Sequence, residues 1–108
     1  MAPVAAPHGA RGEVVVPLDE VLLADGLADT RWLLHDALLG GARTVVVDLA
    51  RVPRLPAHAL TTLLWAHRVC RARGGGVVLR GANAEITDHL HRTGLWRVLR
   101  LDAGRAVA

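Results

Sequence analysis

Residues 44–79 read TVVVDLARVPRLPAHALTTLLWAHRVCRARGGGVVL, and this stretch decides the fold. Three consecutive valines, Val45 to Val47, sit between Thr44 and Asp48-Leu49. A continuous apolar run of this kind suits a central strand covered on both faces. Two prolines between Arg51 and Pro56 predict a turn into a helix, and Pro56 is acceptable at the helix start, where its absent N–H costs nothing. From Ala57 to about Arg73 the apolar positions Leu60, Leu63, Leu64, Ala66 and Cys70 repeat at helical spacing. Gly74 to Gly76 stop that helix, and Val77-Val78-Leu79 is a second buried-type strand.

The alternation continues outward in both directions. Upstream, Glu13-Val14-Val15-Val16-Pro17 is a β-branched run closed by proline and is predicted as a strand. Residues 18–24 (LDEVLLA) fit either a strand or a helix; they are read as a second short strand. Asp25 is placed to cap a helix, with Leu27, Leu34 and Leu38 on one face, Arg31 at its margin, and Leu33 and Ala37 widening the stripe. Gly40-Gly41 ends that helix. Downstream, Asn83 caps a third helix with Ile86 and Leu90 inward, Gly94 ends it, and Leu95 to Leu101 is expected to be extended. Strands alternating with helices predict an α/β layer fold with at least partly parallel pairing. The expected architecture is a single domain over 12–108, with a small mixed sheet of four to five strands and three to four helices. Residues 1–11 (MAPVAAPHGAR), lacking periodicity, are expected to be a flexible arm.

Composition excludes several function classes. The 108 residues contain no serine, lysine, phenylalanine or tyrosine, and all 13 basic residues are arginine. No Ser-based nucleophile and no serine phosphorylation site exists. The hydrophobic fraction of 52% is enough for a packed core built from leucine, valine and alanine. The three tryptophans, Trp32, Trp65 and Trp96, are expected to be core or half-buried packing. The net charge of +3 is modest and the arginines are scattered, apart from a local run at Arg68, Arg71 and Arg73 read as a solvated helix end, so no nucleic-acid partner is expected. A single cysteine, Cys70, excludes an intramolecular disulfide and a Cys-based zinc site and fits a reducing compartment. No apolar run approaches the ~18 residues of a membrane span, and residues 1–12 do not resemble a signal peptide. The expected location is the cytoplasm, without direct membrane insertion.

From about Glu13 to Leu101 the order of these elements resembles the STAS domain of bacterial anti-sigma factor antagonists. In that family a valine-rich strand ending in Asp-Leu leads through a short loop to a phosphoacceptor motif, Asp-Ser-Ser-Gly-Leu, that opens a helix. A glycine pair, another strand, a further helix and a Gly-Leu pair follow. Here the counterparts are Val45-Val46-Val47-Asp48-Leu49, the helix from Leu60 through His67-Arg68, Gly74 to Gly76, Val77-Val78-Leu79, the helix around Glu85 to Arg92, and Thr93-Gly94-Leu95. The departures fall on the chemistry. Aligning Asp48-Leu49 and Leu60 without gaps puts Pro56-Ala57-His58-Ala59 where Asp-Ser-Ser-Gly is expected, so His58 occupies the phosphoserine position. Where family members show Gly-Glu-Leu-Asp before the first helix, the nearest match is Glu20-Val21-Leu22-Leu23.

A phosphoserine at a helix N-terminus adds nearly two negative charges beside unpaired N–H groups; without a serine that switch is lost, while a docking shape can survive. The resemblance therefore implies a non-catalytic protein-binding module. Its partner would be a kinase-like anti-sigma factor or another STAS-containing regulator. The expected surface comprises Arg54, Leu55, Pro56, Ala57, His58, Ala59, Thr61 and Thr62, with Arg51 and Arg54 steering an acidic partner face. His58 reads either as a phosphohistidine acceptor or pH-responsive contact, or as a polar residue filling a decayed site; the latter is preferred. Thr61 and Thr62, the only hydroxyls nearby, read as helix-surface or backbone-bonded side chains. No metal or other cofactor is expected: His58 and His67 are nine residues apart and His89 and His91 two apart, neither being the i, i+4 pair of a helical zinc site. The alternatives are an accessory subunit docking on the ATPase of a lipid transporter, and a phosphohistidine carrier using His58. Homodimerisation through an edge strand is left open.

Overall fold

The computed structural model describes residues 6–7, 12–24 and 27–102, with side chains for 12–24 and 30–102. Strands β1 (Ala6–Pro7), β2 (Glu13–Asp19), β3 (Thr44–Arg51), β4 (Gly76–Arg80) and β5 (Arg100–Asp102) form one sheet in that order. β1 runs antiparallel to β2, and β2 to β5 run parallel. The helices are α1 (Glu20–Ala24), α2 (Leu27–Leu39), α3 (Ala57–Ala72) and α4 (Ala84–Thr93). From β2 onward each strand steps to its immediate neighbour through at least one helix, and right-handed crossovers in one direction place α2, α3 and α4 on one face of the sheet.

The period-2 alternation of β3 decides what each valine meets. Val45, Val47 and Leu49 enter one cluster with Leu34 and Leu38 of α2, Leu60, Leu63 and Cys70 of α3, and Ile86 and Leu90 of α4. Val46, also buried, stands outside that cluster on the other face. Each fully buried leucine in the cluster contributes about 1.5–3 kcal/mol through removal of apolar surface from water. Burial holds the Cys70 thiol above its ordinary range, against the pull of the Arg73 cation and of a backbone contact at Val45.

Several boundaries differ from expectation. Pro17 does not close β2: it pairs with Asp48 inside the strand, and among the described residues β1 pairs only with Val14 and Val15. Residues 20–24 are the helix α1 and not a second strand, because the Asp19 carboxylate accepts the Leu22 N–H at 2.9 Å and caps the turn. Leu95 to Leu101 is not extended throughout. A 3₁₀ turn (Leu95–Arg97) follows Gly94, whose φ of 80° ends α4, and β5 begins only at Arg100. Part of the expected flexible arm, Ala6–Pro7, forms β1. The cap expected at Asp25 and the inward face expected of Leu27 lie outside the described side chains.

None of the tryptophans is fully buried: Trp65 and Trp96, 36% and 41% exposed, are half-buried as expected, whereas Trp32 is 60% exposed. Trp32 lies two residues from the buried Leu34, roughly 200° around the helix at about 100° per residue, so the same turn cannot bury both.

Candidate docking surface

The sheet delivers its chemistry-bearing loop at the C-terminal end of β3. Val52 and Leu55 point into the core and pin the connection at both ends, leaving Arg51, Pro53 and Arg54 exposed. Two side-chain interactions tie this connection to α4. The Asn83 amide donates to the Pro53 carbonyl at 3.0 Å while its Oδ1 accepts the Ile86 N–H at 2.8 Å, so the residue that caps α4 also holds the loop. The Arg54 guanidinium stands 3.6 Å from the Glu85 carboxylate, both well exposed. Sequence reasoning missed both links: the partners are 30 and 31 residues apart, and no local spacing signals them.

α3 starts at Pro56, which is extended (φ −67°, ψ 156°) and offers no side-chain acceptor to the first turn. Its carbonyl accepts the N–H groups of Ala59 and Leu60 at 3.0 and 3.2 Å. The expected surface then divides. Arg54, Ala57, His58 and Thr61 are exposed and Pro56 is partly so, whereas Leu55, Ala59 and Thr62 are buried and form the underside of the patch. The correction at Ala59 and Thr62 follows from helical periodicity, since Ala59, Thr62, Leu63 and Ala66 share the inward face, and Leu55, ahead of the helix, is held in the core cluster. Thr61 Oγ1 donates to the Ala57 carbonyl at 3.3 Å and Thr62 Oγ1 to the His58 carbonyl at 3.2 Å, so both hydroxyls are turned back onto their own helix.

The exposed line His58, Thr61, Trp65, Arg68 continues along α3 at i, i+3, i+7, i+10. Beside it the Trp65 ring stacks on His35 of α2, centroids 6.3 Å apart. On the other side, shallow grooves of about 380 and 430 Å³ flank the Arg54–Glu85 pair, one reaching Glu20 and Leu23 of α1, the other His89 and Arg92 of α4. The result is an exposed ridge, the α3 N-terminus, beside two largely apolar depressions that meet at the Arg54–Glu85 pair. Among the described residues no three His, Cys, Asp or Glu side chains are grouped to hold a metal ion, and no helix is long and apolar enough to cross a membrane.

A protein-family model described as the Mlab STAS domain matches residues 6–101. The chain is similar to TM1081 of Thermotoga maritima, a proposed anti-sigma factor antagonist. The NMR structure of that protein superposes with a TM-score of 0.72 at 16% identity, over 94% of this chain and 90% of that one. Its crystal structure gives 0.68 at 15%, over 90% and 84%. A point variant of RsbS from Moorella thermoacetica gives 0.66 at 19% identity, over 91% of this chain and 87% of that one. At such identities the likeness carries the fold alone. A search of curated proteins found no match. With the family model spanning nearly all described strands and helices, this chain belongs to the STAS domain family.

Proposed function

We propose that the chain is a non-catalytic regulatory module that binds a kinase-like anti-sigma factor, or another STAS-containing regulator, through the α3 ridge, and that serine phosphorylation does not switch it. One observation carries this reading: the residue at the phosphoacceptor position, His58, sits exposed on the first turn of α3, while the two nearest hydroxyls are both engaged with backbone carbonyls. The ridge keeps the shape that a partner reads and carries no serine to modify. Arg51 is exposed beside it, whereas Arg54 is partly compensated by Glu85, so steering of an acidic partner falls mainly to Arg51 and weakens beyond a Debye length of about 8 Å at physiological salt. Among the described residues no helix is long and apolar enough to cross a membrane, and the proposal has the module act in the cytoplasm.

The test is a pull-down with a kinase-like anti-sigma factor, comparing wild type with His58→Asp and Arg51→Ala, followed by intact mass after incubation with the kinase and ATP. Retention by wild type, loss with His58→Asp and an unchanged mass are expected. A gain of one phosphate, or failure to retain any such factor, overturns the reading. A second reading, an accessory subunit resting permanently on a transporter ATPase, is favoured by the same absence of a switchable hydroxyl; co-purification with an ATPase and not an anti-sigma factor would select it.

A further inference from the structure

A second surface lies at the opposite end of the parallel strands, where β3 and β4 begin. A groove of about 630 Å³ is lined there by Thr44, His67, Arg71, Arg97, Val98 and Arg100, with the Gly74–Gly76 turn at its wall. β3 alone separates this end from the docking ridge by eight residues, roughly 25 Å at ~3.3 Å per residue.

The charge of this groove is one-sided. Arg71 comes from the last turn of α3, Arg97 from the 3₁₀ turn and Arg100 from β5, so tertiary structure brings Arg71 to the distant pair Arg97 and Arg100. Among the described residues no carboxylate lines the groove, and none of the three arginines makes an ion pair. The neighbouring arginines of the sequence run go elsewhere. Arg68 is exposed on the α3 ridge, and Arg73 donates to the carbonyls of Leu38 and Ala42 at 2.8 and 3.0 Å, capping the end of α2. His67 adds a donor: its Nδ1 accepts the Val77 N–H at 3.0 Å, which leaves Nε2–H as the only polar function of the ring. Apart from the Thr44 hydroxyl, every polar side chain of the groove can only donate.

We infer that this groove binds a small molecule carrying two or more linked phosphate groups. Guanidinium forks match phosphate oxygens bidentately, and the volume is that of a small-ligand site. A single phosphate ester brings at most about two negative charges, fewer than the three guanidiniums, whereas two linked phosphates balance them. A nucleic-acid strand is disfavoured because the other arginines do not extend the groove into a basic track.

The experiment is calorimetric titration of the full chain with inorganic pyrophosphate, and in parallel with orthophosphate, a single-stranded oligonucleotide and an acidic peptide, at fixed chloride. Wild type, Arg97→Ala/Arg100→Ala and Arg54→Ala are compared after circular dichroism shows that each is folded. Pyrophosphate is expected to bind one per chain and more tightly than orthophosphate. The double variant should weaken it about tenfold or more, the loss of some 1.4 kcal/mol, with Arg54→Ala unchanged. No heat with pyrophosphate, equal weakening by Arg54→Ala, or tighter binding of the oligonucleotide or the peptide overturns the inference. None of these outcomes touches the docking ridge, so the two readings fail separately.

Discussion

His67 of α3 accepts the backbone N–H of Val77 through Nδ1 at 3.0 Å, so a helix side chain closes a bond that the sheet leaves open. The Gly76 N–H donates to the Arg43 carbonyl on the β3 side, and successive N–H groups alternate sides, so that of Val77 faces the β5 side. There pairing begins only at Val78 and Arg100. Burial, assisted by the Arg71 cation, holds the His67 imidazole below its ordinary value of 6.5. The unfolded chain therefore takes up the proton first, and the contribution of His67 to stability is complete above pH 6.5 and declines as pH falls through the lower folded value. Thermal melts across that range should show wild type losing stability faster than His67→Asn, whose amide oxygen can accept the same N–H without titrating. Parallel curves for the two proteins would remove His67 from the pH response.

Asn83→Ala should cost about 1 kcal/mol, within the range of lost N-caps, because its Oδ1 caps α4 at the Ile86 N–H. The same change frees the Pro53 carbonyl. Urea titration measures the first effect, and faster amide exchange at Arg54 and Leu55 reports the second. Asn83→Asp keeps the cap but not the amide donor, so it should retain stability and still loosen the loop.

Gly75 cannot carry a side chain. A Cβ there would lie 1.9 Å from the Arg43 carbonyl oxygen and 2.5 Å from its carbon, where the glycine turn crosses the start of β3. Both atoms belong to backbone, so relief requires the strand itself to move. Gly75→Ala should cost about 3 kcal/mol or more, among the largest single-residue effects, read as a lowered denaturation midpoint or as loss of folded protein on expression. A change below about 1 kcal/mol, the level of a typical mutation, would contradict this packing.

Two residues apart on α2, Leu34 and Trp32 should behave oppositely. Leu34 is fully buried and Trp32 is 60% exposed. Leu34→Ala should destabilise by about 2–5 kcal/mol, the range for emptied core sites. Trp32→Ala should stay within about 1 kcal/mol despite removing the larger ring. Equilibrium denaturation distinguishes them, and acrylamide quenching should reach the Trp32 ring in the native state.

Local chemistry explains what was legible from the chain. The valine runs at 45–47 and 77–79, the helical spacing of Leu60, Leu63, Ala66 and Cys70, the Asn83 cap and the glycine stops at 74 and 94 each act within a few residues of themselves. Each therefore left a readable signal, and together they specified the strand–helix alternation and the family. Pro17 lies within β2 and residues 20–24 form a helix because pairing with Asp48 and the Asp19 cap outweigh the local apolar pattern.

The sequence by itself determined the α/β class and the order of the helices and strands. Only the tertiary structure decided which faces those elements spend on the core. It exposed Trp32, buried Leu55, Ala59 and Thr62 beneath the ridge, joined Pro53 to Asn83, and gathered Arg71, Arg97 and Arg100 around one groove. The physical reason is range. Propensity, capping and periodicity act over one or two turns, whereas burial and charge convergence depend on residues about 30 positions away, brought near only when helices pack onto the sheet.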